Sequence, residues 1–175
     1  GLLDIRMVPE RHNAVKVLLC LDIGGSMDDH IRVCQEMFSA ARSEFKHLEY
    51  FYFHNCLYEN VWRDNRRRRS EQFATWELIN SYNSEYKVVI VGDAFMSPYE
   101  IVYPGASVEH FNAEPGELWL KRLLRAYPQA AWLNPLRQRG WRSSESIKMI
   151  QVLMENRMYP LTLDGLDAAM RELSH

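Results

Sequence analysis

Val15-Lys16-Val17-Leu18-Leu19-Cys20-Leu21-Asp22-Ile23-Gly24-Gly25-Ser26-Met27-Asp28-Asp29 is the stretch from which the fold can be read. An apolar run ends abruptly in Asp22. Two glycines and a serine follow, and an amphipathic segment then begins. A continuous apolar run marks a strand covered on both faces. The polar cluster falls at the carboxyl end of that strand, where open α/β sheets bind ligands. Asp22 and Ser26 are therefore the first candidate site residues.

The pattern recurs at Tyr86–Val91, a second apolar strand that ends in Gly92-Asp93-Ala94, with Ser97 and Pro98 in the loop beyond. Two strands with an aspartate at the same end point to a shared site. Between them, Ile31, Cys34, Phe38, Ala41 and Phe45 recur at helical spacing and predict a helix over 28–45, with Asp28 and Asp29 in its positive first turn. Leu48–Phe53 and Leu57–Trp62 read as a hairpin around His54-Asn55-Cys56. A basic loop, Arg63–Arg69, leads to a short helix near Thr75–Tyr82 with Trp76 and Ile79 inward. A long loop over 99–115 opens with a helical turn. Helix Gly116–Ala126 turns Leu120, Leu123 and Leu124 inward, and strand Gln129–Leu133 follows. Ser143 reads as the cap of a helix over Glu145–Asn156. Strand Met158–Thr162 and helix Asp164–Leu173 close the chain. Strands alternating with helices imply an α/β fold: a Rossmann-like, doubly wound, mainly parallel central sheet with one antiparallel edge strand and helices on both faces.

The 175 residues suffice for one domain, expected over 15–175, with 1–14 as a lead-in from a longer protein. A net charge of −2 argues against nucleic acid as the main partner. No apolar run reaches the roughly 18–20 residues of a membrane span. Cys20, Cys34 and Cys56 form no C-x-x-C pair and read as reduced core thiols of a cytoplasmic protein. His54 and His110 lack metal-ligand spacing and read as surface or loop histidines. Trp119, Trp132 and Trp141 read as packing residues.

Asp22-Ile23-Gly24-Gly25-Ser26, together with Asp93 and this order of elements, resembles the von Willebrand factor A domain. There, strand one ends in Asp-x-Ser-x-Ser, a second loop brings a threonine and a third an aspartate. Val91-Gly92-Asp93-Ala94, Met96-Ser97-Pro98-Tyr99-Glu100 and Trp132-Leu133-Asn134-Pro135 look like the bacterial CoxE-like branch. The resemblance implies a metal-ion-dependent adhesion site binding Mg²⁺ or Mn²⁺, with Asp22, Ser26, Thr75 and Asp93 as metal ligands. Ser70 is the alternative to Thr75. Gly24 stands where the first serine is expected, which removes one hydroxyl. The implied function is protein–protein interaction rather than catalysis: a partner Asp or Glu completes the metal, and a MoxR-type AAA+ ATPase is a partner class of that branch. Gly25, Met27, Arg66, Arg67, Arg68 and Ser97 are the candidate partner-binding residues. The alternatives are a magnesium-dependent, haloacid-dehalogenase-like phosphatase and RNA binding through the arginine loop. The phosphatase needs an acid/base aspartate two residues after Asp22, where Gly24 stands.

Overall fold

A computed structural model describes residues 15–41 and 45–174; the lead-in over 1–14 lies outside them. In chain order the elements are β1 (Lys16–Asp22), α1 (Asp28–Ala41), β2 (His47–Phe53), β3 (Asn60–Trp62), β4 (Gln72–Ala74), α2 (Thr75–Ser81) and β5 (Lys87–Val91). Next come α3 (Pro98–Val102), α4 (Gly116–Ala126), β6 (Ala130–Asn134), α5 (Glu145–Leu153), β7 (Met158–Pro160) and α6 (Leu163–Leu173). Short 3₁₀ turns cover Gly25–Met27, Arg69–Glu71 and Gln138–Ser143.

The strands form one sheet in the order β4-β3-β2-β1-β5-β6-β7. β1 pairs in parallel with β2 and β5, β5 with β6, and β6 with β7. β3 alone runs against the rest, pairing antiparallel with both β2 and β4. The fold class follows the sequence reading, with one refinement. β4 covers β3, so the antiparallel strand sits one place in from the edge. A three-residue strand beside a charged loop carries no usable period-2 signal, and its bonds come from a partner distant in sequence.

β1 shows why its apolar run is continuous. Leu18 and Cys20 pack to one face with Val88, Ile90, Leu78 of α2, Trp119, Leu120 and Leu123 of α4, and Ile147 and Ile150 of α5. Val17, Leu19 and Leu21 pack to the other with Val89, Val91, Cys34 and Phe38 of α1, and Leu166, Ala169, Met170 and Leu173 of α6. Alternate side chains of a strand point to opposite faces, so covering both faces needs apolar residues throughout. The chain winds outward from β1 through β2, β3 and β4, then restarts on its other side at β5. The sheet order therefore reverses between β1 and β5, which puts Asp22 and Asp93 at the topological switch point.

Several elements end differently from the sequence reading. α1 is described over Asp28–Ala41; Phe45, expected on its stripe, is buried in a bend on the approach to β2. Trp76, expected inward, is 47% exposed. It leans edge-on against Trp119 and under the Arg122 guanidinium, an amphipathic stack that needs no burial. Ser144, not Ser143, caps α5 by accepting the Ile147 N–H. The preceding residues are taken up in the 3₁₀ turn that carries buried Trp141. Trp119, Trp132 and Trp141 are core residues, and the three cysteines are buried and unbridged. Burial pushes each thiol up to about 12, so none is a thiolate near neutral pH. Among the described residues no helix is long and apolar enough to cross a membrane.

Candidate functional site

β1 delivers Asp22 to the carboxyl end of the sheet, and the neighbouring strand β5 delivers Asp93 to the same end. Both are buried, at 1% and 2% exposure. Gly92 makes the approach possible. A Cβ there would lie 3.0 Å from Asp22 Cβ and 3.2 Å from its Oδ2. Asp22 Oδ1 accepts the Asn55 backbone N–H at 2.9 Å. Asp93 Oδ1 accepts the Phe95 N–H at 3.0 Å, and its carbonyl accepts from the Asn134 amide.

Asn55 sits at φ 59° in the tight turn after β2, a left-handed position that asparagine tolerates well. Its side-chain amide donates to Glu100 Oε1 at 3.1 Å. Glu100 is 3% exposed, and its Oε2 accepts the Ser97 N–H, closing the capping box of α3. Asn55 therefore ties Asp22 to a third buried carboxylate. Burial raises the Asp22 pKa well above the ordinary 3.8, and the charges of Asp93 and Glu100 raise it further. The Asn55 N–H and the Arg67 guanidinium pull the other way. Among the described residues, Asp22 Oδ2 has no hydrogen-bond partner.

The first loop is pinned to the sheet by the Ile23 N–H, which donates to the Phe53 carbonyl at 2.9 Å. Gly24 then takes φ 83°, ψ 165°, a region essentially confined to glycine. A Cβ there would lie 3.3 Å from His54 Nδ1 and 3.4 Å from Arg67 Nη2. The missing serine is thus a backbone feature as well as a lost hydroxyl. Gly25 and Ser26 are exposed on the following 3₁₀ turn, whereas Met27 is 1% exposed. Met27 is apolar and packs inward, which removes it from the contact surface.

Thr75 begins α2 and is fully buried. Its hydroxyl donates to the Tyr58 carbonyl and its N–H to the Glu59 carbonyl. The hydroxyl keeps its lone pairs, but makes no hydrogen bond to Asp22 or Asp93. Ser70 is exposed within the 3₁₀ turn of the arginine loop. Of the arginines, Arg68 pairs with Asp64 at 2.7 Å and Arg66 is exposed. Arg67 turns back toward the site, where its Nη2 donates to Glu109 Oε1 at 3.1 Å. Ser97 is exposed and caps α3.

His54 lies in the turn after β2, the loop half of the expectation, but it is not on the surface. It is 8% exposed, and its Nδ1 lies 2.9 Å from the Ile23 carbonyl. A carbonyl only accepts, so Nδ1 carries the proton and Nε2 faces Glu109 Oε1 at 3.4 Å. Sequence reasoning passed over four site residues: His54, Asn55, Glu100 and Glu109. Glu100 had a local signal, the Ser-x-x-Glu spacing of a capping box. The others are brought in by contacts remote in sequence.

A hard divalent cation takes oxygen ligands and keeps waters. Asp22, Asp93 and Ser26 offer oxygen only, and Asp22 Oδ2 is a buried carboxylate oxygen with no hydrogen-bond partner among the described residues. On that observation the residues fit such an ion. Among the described residues no three His, Cys, Asp or Glu side chains converge on one point, so hydroxyls and water would have to complete the ligand set. Compared with protein-family models, curated proteins and solved structures, the chain matches none.

Proposed function

We propose that the carboxyl end of the sheet is a protein-interaction site built around a divalent cation, Mg²⁺ or Mn²⁺. The observation that supports it is the unpaired Asp22 Oδ2 among acidic neighbours at the switch point of the sheet. Asp22 and Asp93 would hold the ion, with Ser26 at the exposed rim and Thr75 behind. When bound, the ion supplies an open coordination position to a carboxylate of a partner protein. The chain's residues set up that role. Asn55 fixes one Asp22 oxygen, which leaves the other for the ion. The Phe95 N–H fixes Asp93, and Gly24 keeps the first loop close to His54. The resemblance to the von Willebrand factor A domain adds an AAA+ ATPase as the partner class to try first.

Thermal unfolding with Mg²⁺ or Mn²⁺ against EDTA tests the reading, since a ligand that binds only the folded state raises the melting temperature. Wild type should shift upward and Asp22→Asn should not. An unchanged wild type at millimolar metal refutes the cation. Pull-down of an ATPase that depends on Asp93 would identify the partner. Turnover of an aryl phosphate would favour the phosphatase instead.

A further inference from the structure

Beside the aspartates lies a groove of about 370 Å³, walled by the turn after β2, by β3, by the arginine loop and by the loop after α3. Arg66, Arg67, His54 and His110 line it, with Trp62 and Gln72. One carboxylate is already seated there. Glu109 Oε1 takes the Arg67 hydrogen bond at 3.1 Å and lies 3.4 Å from His54 Nε2. Arg67 is itself placed, with its guanidinium over the Trp62 ring at 5.8 Å. Arg66 is exposed on the same wall and, among the described residues, has no side-chain partner. The other acidic group at the groove, Glu59, faces His110 at 3.8 Å.

We propose that this groove docks an acidic side chain of a partner polypeptide, and that Glu109 is its internal occupant. A carboxylate that accepts a hydrogen bond from an arginine makes a charge-assisted contact. The volume exceeds what one carboxylate fills. Arg66, Trp62 and Gln72 are left to meet the flanking residues of an extended acidic segment. The group that Arg67 already holds is a carboxylate, Glu109, and that observed pairing favours an acidic side chain over a phosphate as the occupant. The exposed loop position of Glu109 lets an incoming carboxylate displace it. The proposal rests on the protein-binding half of the function above and needs no cation.

The test is fluorescence anisotropy with labelled hexaglutamate in EDTA, with hexaglutamine and hexauridylate as comparisons. Removing an internal competitor at a millimolar effective concentration should make Glu109→Gln bind hexaglutamate about fivefold or more tightly than wild type. Adding Arg67→Gln to that variant should weaken binding about tenfold or more. Arg67→Lys, which keeps the charge and loses the planar guanidinium, should fall between. Circular dichroism on each variant separates lost binding from lost structure, and Arg67→Lys carries the test if Arg67→Gln does not fold. Equal affinity of wild type and Glu109→Gln overturns the proposal, as does hexaglutamine binding as well as hexaglutamate. Tighter binding of hexauridylate assigns the groove to RNA and also overturns it. Because these measurements contain EDTA, their failure leaves the cation reading standing, and failure of the metal-dependent melting shift leaves the groove standing.

Discussion

Asp22→Asn separates the two things a buried aspartate can be. In the folded chain its carboxyl group is 1% exposed, with one oxygen on the Asn55 N–H and the other unpaired. Asparagine keeps the shape and the acceptor. It puts an NH₂ where the orphan oxygen was, facing the acidic neighbours. Each unit by which burial raises the pKa costs about 1.4 kcal/mol of stability once the group is ionised. The sign follows from the raised value. The penalty is absent below the unfolded pKa near 3.8 and is complete only above the raised folded one. Without metal, Asp22→Asn should therefore melt above wild type at pH 8, by roughly 3–6 °C for one such unit, at about 2–4 °C per kcal/mol in a chain of this size. The gap should close as pH falls toward 4. Adding Mg²⁺ or Mn²⁺ at a hundredfold excess over its dissociation constant should raise wild type by about 2.7 kcal/mol, or roughly 5–11 °C. The variant should not move. Differential scanning calorimetry in EDTA and in metal, at pH 4, 6 and 8, measures all of it. A variant less stable than wild type at pH 8 in EDTA, with wild type unmoved by metal, would show that the orphan oxygen has a partner other than a cation and would refute the reasoning.

Other substitutions and titrations probe the neighbouring features. Gly24→Ser puts back the hydroxyl that the family pattern expects, but forces a side chain into a glycine-only conformation against His54 and Arg67. It should lose about 1–3 kcal/mol in denaturant unfolding without metal; an unchanged midpoint would mean the loop adapts freely. The Glu109 carboxyl, held below its ordinary 4.5 by the Arg67 hydrogen bond and then by the His54 charge, should titrate below 4.5 by ¹³C NMR. The contact is intact above that value and is lost as pH falls through the lowered one. In the Arg67→Gln variant the midpoint should move up. Gly165→Ala places a Cβ 1.8 Å from the Pro160 carbonyl oxygen, at the start of α6. It should destabilise by at least about 3 kcal/mol, since the neighbour is backbone and cannot step aside.

What the sequence determined by itself was the frame of the site. The apolar runs of β1 and β5 needed no partner to be recognised, because a strand buried on both faces must be apolar at every position. The helix over Gly116–Ala126 was readable to its ends, since its stripe is local and proline precedes it. Asp22 and Asp93 followed as the polar residues that stop those strands. Tertiary structure alone decided what surrounds them. β4 exists because β3 offers it hydrogen bonds, and three residues carry no period of their own. Asn55 reaches Asp22 and Glu100 from a turn whose left-handed backbone the sequence does not announce. Glu109 meets Arg67 and His54 across 42 and 55 residues of chain, through contacts that local patterns cannot encode. Gly24 shows the limit most clearly. In the sequence it is a missing serine, whereas in the fold it is a backbone conformation that holds the first loop against His54 and Arg67.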